Sequence, residues 1–292
     1  MLTRTRNPLV SLGLLLLGLT GLPAQCAADV IFVDNQRGDD ARGGLTDATH
    51  GGVFGPVRTI RRALELADSG DTLVLKNTGQ PYYESIELFG PRHSGVRFTE
   101  FTIIGNGSVI DGSNAVPPGA WKPVGADLWK FTPWRKGHYQ LILDGRLLPE
   151  IDVPSDAREV PAMPRGQWCA WKGSIYFHAQ RADAPQTRAF RFAARGVGLS
   201  LYRVQGVRIR DLTFRWFRLD GANAHNLCSG IVLQDVVLAE NGRSGLFCGG
   251  ATRMSVSGGF VQGNRKHSVL IRGIGSVDIQ QTNLDNPPEF VD

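Results

Sequence analysis

The chain has 292 residues, of which 42% are hydrophobic and 20% charged, and its formal net charge is +5. That is enough apolar material for a folded core and excludes a disordered, low-complexity chain. Four cysteines include Cys26 just after an N-terminal apolar run, so Cys169, Cys228 and Cys248 remain as an odd set that excludes a disulfide framework.

Residues 1–28 read as a secretory signal. Arg4 and Arg6 supply the positive end, Leu9 to Leu22 the apolar run, and Cys26-Ala27-Ala28 a small-residue cleavage site. The expected mature chain therefore starts near Asp29 and works outside the cytoplasm, secreted, periplasmic or in the cell envelope. Gly13, Gly18, Gly21 and Pro23 interrupt the run and no stop-transfer charges follow, which argues against a membrane span. Cys26 suits a lipid anchor, but Gln25 before it is not the small residue such a site prefers. Losing two arginines lowers the formal charge to +3, too weak to imply a nucleic-acid partner.

Residues 29–116 open with a strand, Val30 to Val33, and a loop rich in Gly and Asp. Asp34, Asp39 and Asp40 offer clustered oxygens of the kind calcium takes, although the same letters suit a plain turn. From Thr59 a helix is predicted, with Thr59 as N-cap and Ile60, Ala63, Leu64 and Ala67 on one face. Gly70-Asp71-Thr72-Leu73-Val74-Leu75 then turns into a strand. Phe98, Phe101, Ile103, Val109 and Ile110 are core candidates for the next coils.

Residues 117–195 carry Trp121, Trp129, Trp134, Trp168 and Trp171 and most of the prolines, with no regular register. Strand runs before Asp144-Gly145 and after Gly173 predict hairpins, hence an inserted β module.

Residues 196–292 repeat. Val207, Ile231, Met254 and Val277 follow at intervals of 24, 23 and 23, and Ile209, Leu233, Val256 and Ile279 keep the same spacing. The two-residue offset within each unit is strand spacing, and the intervening Asn, Gly, Asp and Ser suit tight turns. A period in the low twenties built this way predicts a solenoid of parallel strands. These apolar-x-apolar pairs and N-G or G-N turns resemble the right-handed parallel β-helix, the pectate-lyase-like superfamily of secreted bacterial proteins with PbH1-type repeats. The order of strand, G-and-D loop, G-P-x-x-T-I-x-x-A-L helix and G-D-T-L strand is similar to the capped start of such chains. The Trp-rich stretch looks like the β modules inserted in some β-helix glycoside hydrolases. The fold class expected is thus all-β, a right-handed parallel β-helix with an N-terminal capping helix and an inserted module. No cap follows the last coil, so a partner or further segment is expected at the open C-terminal coil.

Aligned repeats place Ala222, Leu246 and Val269 inward. Their neighbours are expected to form solvent-facing columns: Leu219/Arg243/Lys266, Asp220/Ser244/His267, Asn223/Phe247/Leu270 and His225/Gly249/Arg272. The resemblance implies polysaccharide on such a face. Uronate β-elimination requires a base and a cation that neutralises the carboxylate. Lys266 or His267 would be the base, Arg243 and Arg272 the neutralising groups, and Asp220, His225 and Phe247 substrate contacts. A non-catalytic carbohydrate-binding or cell-envelope structural module is the alternative. A glycoside hydrolase is the second alternative, with Asp220 and Glu240 as the nearest carboxylates.

Overall fold

The structure is a computed structural model that describes residues 28–49, 52–180 and 184–292. The signal-peptide reading, with Cys26, falls on residues outside that range. Among the described residues no helix is long and apolar enough to cross a membrane.

The expected right-handed parallel β-helix with its pectate-lyase-like label is corrected: the described strands form four separate sheets, two parallel and two antiparallel. The reason is physical. Apolar spacing fixes which face of a strand is buried, but neither the number of sheets nor how they connect.

The larger parallel sheet runs through Val30–Val33, Thr72–Leu75, Phe101–Asp111, Gln205–Arg215, Ser229–Gln234, Arg253–Ser257 and Ser276–Gln280. Three short strands, Val237–Ala239, Phe260–Gln262 and Asn283–Leu284, join its side. Val207 is the Cα partner of Ile231, Ile231 of Met254, and Met254 of Val277, so residues 24 and 23 apart in sequence lie side by side. The second parallel sheet orders Ile86–Phe89, Val197–Tyr202, Asp220–His225, Ser244–Gly249, His267–Arg272 and Glu289–Val291. The inner rows of both sheets meet in one apolar core that includes Ile103, Phe214, Leu233, Leu246 and Ile271.

Helix Ile60–Leu66 covers the start of this core. Thr59 Oγ1 accepts from Arg62 N at 3.1 Å, and the Glu84 carboxylate receives Ile60 N and Arg61 N. Ile60, Ala63, Leu64 and Ala67 are all buried, which removes from water the apolar end that an open stack of strands exposes. Phe98 is corrected: it is fully exposed beside Val96–Thr99 bridging, whereas Phe101, Ile103 and Ile110 are buried.

Between Phe101–Asp111 and Gln205–Arg215, which pair directly, the chain makes two antiparallel sheets. One contains Lys122–Gly125, Leu128–Phe131, Ser174–His178 and Trp168–Trp171; the other Ser113–Ala115, Phe190–Ala193, Leu141–Leu143 and Arg146–Leu147. They enclose their own core, in which Trp121, Phe131, Trp168, Phe177 and Phe190 pack together. Both hairpin turns, Asp144-Gly145 and Lys172-Gly173, have positive φ at both positions, the geometry that matches strand twist.

A candidate site in the seam between module and coils

The second parallel sheet stacks the sequence-predicted residues as aligned: Asp220 against Ser244 and His267, and Asn223 against Phe247 and Leu270. Asp220 does not face solvent. It is fully buried, as is Ser244, because both share the period-two parity of inward Ala222 and Leu246. The Arg243 guanidinium binds the Asp220 carboxylate with two nitrogens, and Ser244 Oγ and Asn223 Nδ2 donate to it as well. This bonding holds the Arg243 pKa above the usual arginine value, even against burial. His267 Nδ1 meets Glu289 Oε2 at 2.7 Å. His225 packs edge-on to the Tyr202 ring at 5.3 Å, Phe247 lies under Arg243 at 5.3 Å, and Arg272 ends its strand in solvent. Lys266 is exposed in the turn after Arg243.

The early aspartates are held by turns and do not fit a calcium site. Asp34 accepts Gln36 N and Arg37 N and pairs with Lys76, Asp39 accepts Ala41 N, and Asp40 receives Arg58 N and Thr59 N. Burial works against ionisation of Asp34, yet the Arg37 N–H and Lys76 keep its pKa low.

A different cluster of carboxylates lies where the module docks on the coils. Segment 136–140 runs along three successive coil turns. Arg218 Nη1 donates to Lys136 O at 2.9 Å, His138 Nδ1 meets Gly242 O at 3.1 Å, Gln140 Nε2 donates to Glu240 O at 2.9 Å, and Arg265 Nη1 donates to Tyr139 O at 3.3 Å. Beside this seam is a cleft of about 280 Å³ whose polar lining includes Gln140, Glu150, Asp152 and Arg265.

Glu150 and Asp152 share that lining for a local reason. Residues 150–153 are extended, held by Ile151 N to Trp168 O at 2.8 Å, and Ile151 and Val153 pack into a small core with Cys169 and Tyr176. Glu150 and Asp152, on either side of Ile151, line the cleft instead. Glu150 ion-pairs with Arg265, and its side chain is only 18% exposed. Burial pushes its pKa up to about 7 against the pull of Arg265, and the Asp152 charge adds to the rise. A carboxyl group in that range can deliver a proton near neutrality. Glu240 sits at the same rim: its Oε2 accepts the Trp216 indole N–H at 2.7 Å, and a Cβ on Gly263 would come within 3.1 Å of its Cγ.

Of the two carboxylates first paired for hydrolysis, the structure buries Asp220 and leaves Glu240 beside this cleft. Glu150 and Asp152 escape sequence reasoning because the module has no repeat to align, and Arg265, one position before Lys266, because its partner lies in that module. The carboxylate/apolar alternation Glu150-Ile151-Asp152-Val153 is the signal that points to them.

No family model matches the chain, and no curated protein matches it. Two solved structures are similar in fold. One is a complex of XylC with xylose, at a TM-score of 0.58 and 11% identity, covering 87% of this chain and 58% of that one. The other is described as a glycoside hydrolase, at a TM-score of 0.55 and 14% identity, covering 84% of this chain and 67% of that one. The chain thus spans 58% and 67% of the lengths of these two chains. At such identities the likeness is one of fold. It replaces the pectate-lyase-like label; of the two arginines expected to neutralise a uronate, Arg243 is bound to the buried Asp220.

Proposed function

We propose that this chain binds carbohydrate in the seam cleft and hydrolyses a glycosidic bond there. Glu150 is the general acid that protonates the leaving oxygen, and Asp152 is the second carboxylate. The observation that carries this reading is the Glu150 carboxyl, raised to about 7 in a cleft it shares with Asp152. Support also comes from the fold, which is similar to that of a protein crystallised with xylose and of a glycoside hydrolase. The site works outside the cytoplasm, following the N-terminal signal reading.

A panel of aryl glycosides that includes a xyloside tests the reading. Glu150→Gln should lower kcat by about a hundredfold or more, within the range for loss of a general acid, while binding of the sugar persists. Turnover unaffected by Glu150→Gln would refute the assignment. Binding without turnover in the parent chain would instead leave a non-catalytic carbohydrate-binding module.

A further inference from the structure

The same seam concentrates positive charge. Arg135, Lys136 and His138 come from the module, and Arg218, Arg243 and Lys266 from successive coil turns, where Arg243 N bonds Leu219 O and Lys266 N bonds Arg243 O. Arg218, Arg243 and Lys266 all act electrostatically on His138, and Arg135 acts on Arg218, so these groups are close together. Burial first, and these cations second, hold His138 below the usual imidazole range.

What is missing is counter-charge. Among the described residues only Arg243 of this set has a carboxylate partner, the buried Asp220. Lys136 Nζ donates to two carbonyls, Pro133 O at 2.8 Å and Gly173 O at 3.0 Å, and Arg218 Nη1 likewise donates to carbonyls. Arg218 Nε is buried with no partner. Cations that outnumber their carboxylate partners repel one another, and an anion that binds among them relieves that repulsion. Trp134, next to Arg135 in the sequence, has a side chain that is 91% exposed. An aromatic face of that kind stacks on a sugar ring and offers little to a free inorganic ion.

We infer that this cluster is a subsite for an acidic glycan, holding a carboxylate or sulfate ester on a sugar that stacks against Trp134. The inference extends the proposed function by naming the substrate class, and it rests on that reading only for the cleavage step. Binding of the anionic group stands by itself.

The test measures binding of the full chain to polygalacturonate, dextran sulfate, neutral dextran and a single-stranded oligonucleotide at low and high salt. Arg135 and Lys266 are exposed, and among the described residues neither side chain makes a hydrogen bond or ion pair that folding would lose. Arg135→Glu combined with Lys266→Glu should weaken binding of the acidic glycans at least about tenfold and flatten its salt dependence, with the melting temperature not lowered. The polygalacturonate and dextran sulfate arms separate carboxylate from sulfate recognition. Equal affinity for neutral dextran, unchanged affinity in the double variant, or tighter binding of the oligonucleotide would overturn the inference. Glu150→Gln is run in parallel: it should slow cleavage as above and leave acidic-glycan binding intact, so failure of the hydrolase reading is seen separately.

Discussion

Asp220 shows how much one residue's parity decides. Two positions before an inward alanine, it occupies the inner row of its strand and is fully buried, yet Arg243, Ser244 and Asn223 all donate to it. A carboxylate so placed is a structural anchor, and Arg243 is the side chain it positions. Removing one partner of a buried pair leaves the other charge uncompensated, so Asp220→Ala should destabilise the fold by about 3–5 kcal/mol, measured by denaturant unfolding. A loss below about 1 kcal/mol would mean that water or another group replaces the carboxylate.

At the scale of the element, the turns between coils are stacked by asparagine. Asn241 Oδ1 accepts Phe217 N at 3.0 Å, while Asn264 Oδ1 accepts Asn241 N at 3.0 Å and Asn241 Nδ2 at 2.9 Å. The glycines beside them leave the room: a Cβ on Gly245 would lie 2.3 Å from Val261 Cγ1 and 2.7 Å from Asn264 Nδ2. Gly245→Ala should therefore cost about 1–3 kcal/mol through overpacking. Gly119→Ala, where an added Cβ meets nothing within 4 Å, serves as the control and should leave thermal stability unchanged. Equal melting temperatures for both variants would show that the turn ladder gives way without strain.

For the whole molecule, the consequential contact is the one that joins module to coils, and it is pH-dependent. Glu150 titrates at about 7 in the folded protein against 4.5 for the free group. Between those values the native state holds a proton that the unfolded chain has released, so stability falls as pH rises through that window and stays lowered above it. A shift of this size is worth about 3 kcal/mol at most. Glu150→Gln removes the titration. Its melting temperature relative to the parent should therefore be higher at about pH 8 than at about pH 5. A difference that stays constant with pH would place the titration elsewhere.

Several features of this protein follow from its letters alone. The spacing of Val207, Ile231, Met254 and Val277 already contains the pairing later seen between strands, and Thr59 with the apolar face after it contains the helix. These are local and periodic properties, set by backbone geometry and by which side chains leave water. Tertiary structure alone decided the rest: the sorting of the strands into four sheets, the burial of Asp220, and the meeting of Glu150 with Arg265. Those last two residues are far apart in a chain whose module has no period, and their encounter depends on how the module docks on the coil turns. Docking is governed by long-range packing and by hydrogen bonds to backbone carbonyls, which side-chain identity does not encode.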